Sequence, residues 1–203
     1  MRTVRPVADT RTDPQTELLD RHAEALALFG ERVHAIADDQ WDAPTPCTDW
    51  TVRDLVNHVV GEQRWVPPLV AEGRTLADIG HSLDGDLLGD APVASWDTAA
   101  AAARAAFTAP GALDRTVPLS SGPTPGSAYC RELVCDCAVH TWDLSRAIGA
   151  DERLPDTLVA LATEVVTPLG DGLAASGMFA EPVPVPPDAD AQTRLLGLLG
   201  RKA

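Results

Sequence analysis

The sequence predicts an all-α protein built as a helical bundle. Of its 203 residues, 45% are hydrophobic but only 4% are aromatic, so Leu, Val and Ala must supply most of the core, as suits packed helices. Apolar residues recur at steps of three and four over several long segments. Pro, Gly and Asp concentrate between these segments, where they mark helix ends. We therefore expect long helices joined by irregular connections.

The first half of the chain is expected to form two long helices after a short leader. Residues 1–13 are polar and predict a disordered leader, which leaves 14–203 as one helical domain. A first helix is predicted over 14–39, with Pro14 in its first turn. After a loop over 41–49, a second helix begins with Thr48 or Asp49 as its N-cap and is kinked or broken at Pro67-Pro68. Residues 73–94 are rich in Gly and Asp, and indicate a long crossover loop and a candidate substrate-gating segment.

The second half should complete the bundle and add a short C-terminal extension. The pattern first predicts a helix over 95–109 with Ser95 as N-cap, an extended piece at 116–120 and a Gly/Pro turn at 122–126. A helix over about 127–148 follows, which Gly149 ends, and then a helix over 155–175. An extended strap from Pro182 to Pro187 and a terminal helix over 191–199 complete the chain. We expect the residues that perform the chemistry to lie on these helices.

Composition excludes several classes of partner. The formal net charge is −14 and the sequence pI is about 4.5, which argues against nucleic-acid backbones and anionic membrane surfaces. The sequence contains neither a transmembrane apolar run nor a secretory signal, and we expect a cytoplasmic protein. Its four cysteines are therefore expected to be thiols. Phosphate-binding loops, nucleophile elbows and dinucleotide fingerprints are missing from the sequence.

The segment Asp136-Cys-Ala-Val-His140-Thr-Trp-Asp143 is the strongest functional signal. Asp136 and His140 are four residues apart, so their side chains leave one face of a helix one turn apart. His58, on the second helix, could complete a three-ligand metal site that leaves positions open for water or substrate. The alternative is a buried Asp–His hydrogen bond without metal. Asp136 is expected to lie embedded among apolar neighbours, namely Leu133, Val134, Ala138 and Val139, where an unpaired carboxylate is costly.

Several other side chains have more than one interpretation. Asp143 could be a ligand, a surface charge or, as we prefer, an acceptor that orients an imidazole. Glu62 could ligate, act as a general base, or face solvent. Cys47 is expected to pack in its loop, with a nucleophile at a helix N-terminus as the alternative. Two tryptophans, Trp50 and Trp142, are interpreted as core or pocket-wall residues. Three histidines, His22, His34 and His81, have no carboxylate at useful spacing and are interpreted as ordinary.

Two segments resemble a known family. Pro46-Cys-Thr-Asp-Trp-Thr-Val-Arg-Asp-Leu-Val-Asn-His58 and Val139-His140-Thr-Trp-Asp-Leu-Ser-Arg-Ala-Ile-Gly149 resemble the two signatures of the mycothiol-dependent maleylpyruvate isomerase N-terminal domain family, within the DinB-like metal-binding superfamily. The tail Asp190 to Arg201 is similar to that of an uncharacterised actinobacterial branch. The resemblance implies a DinB-like four-helix bundle with a metal at one end. Its ligands would be His58, Asp136 and His140.

The resemblance also bears on the chemistry. It suggests zinc, and two His with one carboxylate would also accept nickel or ferrous iron. The family usually has Glu at the position of Asp136, and because Asp is one methylene shorter, its carboxylate must approach a metal more closely or ligate through a shifted helix. We expect the chain to lack the separate C-terminal domain of the isomerases, which contributes to thiol binding there. Maleylpyruvate isomerisation itself is therefore not expected.

Three functional hypotheses remain open at this point. The first is a metal-dependent thiol transferase or isomerase that joins a low-molecular-weight thiol, by resemblance mycothiol, to a small electrophile. In it Asp143 and Glu62 are the candidates for orientation or proton transfer. The second is a non-catalytic metal- or ligand-binding protein, and the third is a metal-free bundle whose site has decayed. A homodimer also stays open, because helical proteins of this kind often dimerise.

Overall fold

Four long helices form the main body of the protein. The computed structural model describes residues 13–170 and 180–203. The four helices are α1 (Pro14–His34), α2 (Val52–Val66), α4 (Pro92–Thr108) and α5 (Gly126–Ile148). In cross-section α1 and α2 each pack against both α4 and α5. Buried Leu, Val, Ala and Phe side chains fill the space between them, so the predicted helical bundle is confirmed.

The ends of α1, α2 and α4 differ from the sequence prediction. α1 ends at His34 rather than near 39, and Gln40 closes the following turn by accepting from the backbone N–H of Ala37. α2 is capped by Thr51, not by Thr48 or Asp49. α4 begins at Pro92, because proline is well suited to a first helical turn. The predicted cap Ser95 therefore lies inside α4, where its hydroxyl donates to the carbonyl of Leu88.

The crossover from α2 to α4 is partly helical. Pro67-Pro68 was expected to kink or break the helix, but the chain continues as a widened π-helical turn over Pro67–Ala71. This turn accommodates residues without a backbone N–H, because its pattern of hydrogen bonds differs from the α-helical one. A short helix, α3 (Leu76–Ile79), follows within the predicted loop. The rest of residues 73–91 is turns and irregular backbone.

A small hairpin precedes α5. The predicted extended piece is strand β1 (Thr116–Leu119), and the predicted Gly/Pro turn is in fact strand β2 (Gly122–Pro125), paired antiparallel with it. The turn is therefore limited to residues 120 and 121, which lie between the two strands. α5 begins directly afterwards at Gly126, where a Cβ atom would collide with the backbone oxygen of Ala112. Close packing thus requires glycine at the start of the helix that carries the functional motif.

A C-terminal layer covers the outer side of α5. It consists of α6 (Asp156–Val166), a 3₁₀ turn at Thr167–Leu169 and α7 (Ala191–Leu198). α6 packs on α5 and α7 packs on α6, around a second cluster of buried residues that includes Trp142. The α-helix predicted over 155–175 therefore ends at Val166. Its last part, 171–175, and residues 1–12 of the predicted leader lie outside the described residues.

Other features of the fold follow the prediction. Gly149 ends α5 in a left-handed conformation with φ 71°, and the next N–H donates to the carbonyl of Ser145 at 2.8 Å, which is a glycine C-cap. All four cysteines are free. Within the described ranges, 13–170 and 180–203, no helix is both long and apolar enough to cross a membrane.

Candidate metal centre

The first candidate ligand is positioned by the start of α2. The hydroxyl of Thr51 accepts from the backbone N–H of Asp54, and the Asp54 carboxylate accepts from the backbone N–H of Thr51 at 2.9 Å. This capping box fixes the first turn of the helix. The apolar stripe of α2 faces the core, with Leu55, Val56 and Val59 fully buried. His58 is thereby held at the edge of the bundle with 31% of its side chain exposed.

The other two candidate ligands come from α5. Asp136 and His140 leave the same face of the helix, as their spacing predicts. Asp136 Oδ1 lies 3.5 Å from Nε2 of His58 and 3.4 Å from Nε2 of His140. The three ligand atoms all lie within 4.8 Å of one another. The structure therefore brings together the three residues that the sequence indicated as metal ligands.

These distances match what a metal requires. Around a tetrahedral zinc ion with bonds of about 2.0–2.1 Å, neighbouring ligand atoms lie about 3.4 Å apart. Direct hydrogen bonds from the imidazoles to Asp136 would be shorter, at about 2.7–2.9 Å. Oδ2 of Asp136 is inaccessible to solvent and has no hydrogen-bond partner among the described residues. The arrangement is thus compatible with a cation shared by the three side chains.

Asp136 is less enclosed than the sequence suggested. Its apolar neighbours on α5 are buried, but the carboxylate side chain keeps 29% of its surface exposed, because it points out of the core towards His58. Burial of the carboxylate oxygens would raise the pKa of Asp136. The charge of His140 and the two imidazole contacts outweigh that effect and hold the pKa below its ordinary value, so the Asp136 carboxylate is an anion.

His140 is buried between two carboxylates. Burial would lower its pKa, but Asp136 on one side and Asp143 on the other raise it well above its ordinary value. Without a metal, His140 therefore retains a proton that a metal ion must displace from Nε2. Nδ1 lies 3.0 Å from Oδ2 of Asp143. Since an ionised carboxylate only accepts, Nδ1 carries a proton and donates it to this bond.

Asp143 is a buried carboxylate behind the candidate ligands. We call Asp143 and its bonding partners His140, Arg201 and Cys47 the hub. The side chain of Asp143 is fully buried, and besides His140 it binds the guanidinium of Arg201, with Nε and Nη2 at 2.9 and 2.7 Å from its two oxygens. Burial would raise the pKa of Asp143, but the hydrogen bonds from His140 and Arg201 lower it. Its geometry supports orientation of His140, which is the preferred prediction, rather than contact with a substrate.

The loop before α2 supplies two more neighbours. Its backbone is fixed by paired hydrogen bonds between Thr45 and Trp50. The Trp50 ring lies 5.0 Å from the His58 ring and stacks on the His140 ring at 5.9 Å, so it borders the candidate centre. The thiol of Cys47 donates to Asp143 at 3.3 Å and lies 3.8 Å from Nδ1 of His140. Cys47 therefore belongs to the hub and is not merely a loop-packing residue.

Glu62 lies one turn after His58 on α2. Burial is the main cause that raises the pKa of Glu62, and the negative charge of Asp136 raises it further. The opposing charges of His58 and His140 act on the same carboxyl, which places Glu62 among the side chains of the candidate centre rather than in open solvent. A carboxyl with a raised pKa is a candidate for carrying a proton during a reaction.

The other predicted residues lie away from the centre. His22 is in the core, edge-on to Phe107. His34 and His81 do have carboxylate partners, Asp97 at 2.9 Å and Asp84 at 2.6 Å, which corrects the expectation that they lack one. Both pairs are exposed at the surface.

Trp142 is 1% exposed in the second cluster of buried residues, a core role as predicted. The guanidinium of Arg146 lies 4.3 Å from the centre of its ring. Sequence reasoning missed Arg201 as a functional neighbour, because 58 residues separate it from Asp143 and no local pattern links the tail to that position.

Comparisons with known proteins agree with the architecture and the motifs. The family model described as the mycothiol maleylpyruvate isomerase N-terminal domain matches residues 22–145. An uncharacterised protein of Mycobacterium tuberculosis, recorded for strain CDC 1551 / Oshkosh and for strain ATCC 25618 / H37Rv, is 32% identical over 184 residues. That alignment covers 89% of this chain and 95% of the relative.

A solved structure has the same fold. The crystal structure of the mycothiol-dependent maleylpyruvate isomerase superposes with a TM-score of 0.60 over 81% of this chain and 73% of the isomerase, at 14% identity. A single-residue mutant of that enzyme gives the same values. The DinB-like bundle that the resemblance implied is therefore confirmed.

Proposed function

This chain belongs to the family of the mycothiol maleylpyruvate isomerase N-terminal domain, and from this premise we propose that it is a metal-dependent enzyme that uses a low-molecular-weight thiol. The reaction class is transfer of the thiol to, or thiol-assisted isomerisation of, a small electrophilic molecule. The thiol is mycothiol by analogy with the isomerase that shares the fold. The protein would act in the cytoplasm, where small thiols stay reduced.

The observation that carries this proposal is the convergence of three ligand atoms. His58 Nε2 and His140 Nε2 both lie within 3.5 Å of Asp136 Oδ1. Two neutral imidazoles and one carboxylate are a ligand set used by catalytic zinc, which keeps a further position for water or substrate. When bound, such a metal lowers the pKa of a coordinating thiol and so supplies a thiolate at neutral pH.

The other residues of the centre have distinct roles in the proposal. Asp143 accepts from Nδ1 of His140, so Nε2 is the nitrogen that would ligate the metal once its proton is displaced. Glu62, whose pKa is raised, is the proposed group that takes or returns a proton during the reaction. Trp50 forms one wall beside the two histidines. It excludes water from one side of the centre and offers an apolar surface to a substrate.

The test begins with metal content. The protein is purified without a metal-affinity tag, beside His58→Ala and His140→Ala, and bound zinc, nickel and iron are measured. We expect about one equivalent in the natural sequence and a loss in both variants, since each removes one of three ligands. His34→Ala is the matched control, because this histidine also pairs with a carboxylate but lies at the surface; it should keep the metal.

Thiol transfer is then assayed on the metal-loaded protein with mycothiol and a panel of small electrophiles. Thiol-dependent turnover that disappears in His58→Ala and falls in Glu62→Gln would support the enzyme. A protein that binds metal but turns over none of the panel, and whose metal is not contacted by added thiol, would favour the binding-protein hypothesis. Failure to bind metal even after zinc or nickel is supplied would overturn the proposal.

A further inference from the structure

The C-terminal tail reaches the buried hub behind the candidate ligands. Arg201, three residues after α7 ends, places Nε and Nη2 at 2.9 and 2.7 Å from the two carboxylate oxygens of Asp143. Its Nη1 donates to the carbonyl of Leu199 at 3.0 Å. Only 12% of the Arg201 side chain is exposed, and the Asp143 side chain is fully buried. A two-point contact of this kind fixes orientation as well as charge.

The oxygen that Arg201 binds most closely is the one that holds His140. Oδ2 of Asp143 lies 2.7 Å from Nη2 of Arg201 and 3.0 Å from Nδ1 of His140. His140 in turn presents Nε2 to Asp136 at 3.4 Å. A continuous chain of contacts therefore runs from the tail through Asp143 to the candidate metal position.

The guanidinium of Arg201 also lies where a second metal ion could otherwise bind. Cys47, His140 and Asp143 could by themselves form another three-ligand cluster. Nη2 of Arg201, however, lies 3.7 Å from the Cys47 sulfur while it binds Asp143. The positive charge in this cluster is thus already supplied by the protein, and the cluster supports the neighbouring centre instead of holding a metal of its own.

We propose that Arg201 is a positioning residue for the metal centre, which fixes the Asp143 carboxylate so that His140 keeps its proton on Nδ1 and offers Nε2 to the metal. This inference rests on the proposed function, since it assigns a role towards the same metal. It makes the C-terminal layer part of the site, although none of the three candidate ligands comes from it. Supporting groups of this kind alter metal affinity because they set the orientation and tautomer of the ligand.

A charge effect alone would act in the opposite direction. Arg201 is a cation near a metal cation, so removing it by Arg201→Gln would tighten metal binding if only charge mattered. Loss of positioning would weaken binding instead. Arg201→Lys keeps the charge but cannot make the two-point contact, so positioning predicts weaker binding there too. The two variants together separate the two explanations by the sign of the change.

The experiment measures zinc affinity by competition with a chromophoric chelator for the natural protein, Arg201→Gln and Arg201→Lys. We expect both variants to bind zinc about 10-fold more weakly, the lower end of the range for groups that support a ligand. Arg194→Gln is the matched control, since Arg194 is exposed on α7 and its guanidinium, among the described residues, bonds only to the carbonyl of Asp190. Unchanged affinity in both Arg201 variants, or tighter binding in Arg201→Gln, would overturn the inference.

A destabilised variant separates positioning from loss of folding. Leu199→Ala weakens the docking of α7 through a fully buried side chain without removing the guanidinium. If Leu199→Ala lowers the melting temperature as much as Arg201→Gln and weakens zinc to the same extent, the effect is structural and the inference is wrong. We expect Leu199→Ala to stay within a factor of about three of the natural affinity.

A second readout does not depend on metal. The Nδ1–H proton of His140 should give a downfield NMR resonance that exchanges slowly with water, because it is buried against Asp143. In Arg201→Gln we expect faster exchange, and in Arg194→Gln none of this change. If the natural protein binds no metal, the proposed function fails, and the exchange of this proton alone judges whether Arg201 positions His140. Equal exchange in all three proteins would overturn the inference.

Discussion

Asp143 accepts a hydrogen bond from Nδ1 of His140 at 3.0 Å, one turn further along α5. This bond determines which ring nitrogen of His140 is available to a metal. Since Nδ1 is the donor, Nε2 is left to face Asp136 and His58, whose contacting atoms lie on the same side. The centre is therefore built in two layers, with three candidate ligands in front and a buried carboxylate behind.

Replacing the rear carboxylate should weaken metal binding without removing a ligand. In Asp143→Asn the shape is kept, but the amide can present a donor to Nδ1 and no longer holds the proton there. We expect zinc to bind about 10–100-fold more weakly. Chelator competition on the natural protein and the variant measures this, and equal affinities would contradict the role that we give Asp143.

The same substitution should destabilise the fold. It leaves the largely buried guanidinium of Arg201 without its charge partner, and breaking a buried pair in this way costs about 3–5 kcal/mol. Urea unfolding of the metal-free proteins would report it. The double variant Asp143→Asn with Arg201→Gln removes the stranded charge and should recover part of the loss.

The length and charge of Asp136 can be tested separately. Asp136→Asn is nearly isosteric but replaces an anionic ligand by a neutral amide, so we expect most of the metal to be lost. Asp136→Glu keeps the charge and lengthens the side chain by one methylene, so it should retain metal. Metal content after dialysis distinguishes them. Full occupancy in Asp136→Asn would show that Asp136 is not a ligand.

The buried His22 should make the protein less stable in mild acid. Burial is the main cause that lowers the pKa of His22 from 6.5 to about 4, and the charge of Arg104 contributes in the same direction. As the pH falls, His22 therefore binds a proton in the unfolded state at a higher pH than in the folded state. The contribution of a neutral His22 is complete above pH 6.5 and is lost between about pH 6.5 and pH 4. It amounts to about 3 kcal/mol at most.

Comparison with a variant isolates this contribution. In His22→Leu the free energy of unfolding should change less between pH 6.5 and pH 4 than in the natural protein, whatever the absolute stability of the variant. His34→Gln, at the surface, should keep the natural pH profile. Parallel profiles for the natural protein and His22→Leu would refute the role of His22.

Trp50 should act as a fluorescent reporter of metal binding. Its ring lies 5.0 Å from His58 and 5.9 Å from His140, so a paramagnetic ion such as Co²⁺ or Ni²⁺ at the centre should quench its emission. Trp50→Phe should abolish the quenching but keep the metal. Trp96→Phe is the control, since this tryptophan packs against Phe29 in the core. Quenching that persists in Trp50→Phe would place the metal elsewhere.

Local patterns predicted the parts of the structure that depend on near neighbours. The spacing of Asp136 and His140 was enough to put both on one face of α5, because a helix repeats every 3.6 residues. Gly149 was correctly identified as the end of that helix. Errors arose where neighbours across the structure outweigh local preference. Examples are the second strand formed by Gly122–Pro125 and the widened turn at Pro67–Ala71.

The sequence by itself determined the class of fold, the order of the main helices and three side chains that could share a metal. Periodicity and helix-end residues are local properties, and the candidate ligands lie within the two motifs or close beside them. Only the tertiary structure decided that His58 meets Asp136, that Cys47 faces Asp143, and that Arg201 closes the hub from the far end of the chain. These contacts join residues that are 58 to 96 positions apart in the chain, and they depend on packing that no local pattern encodes.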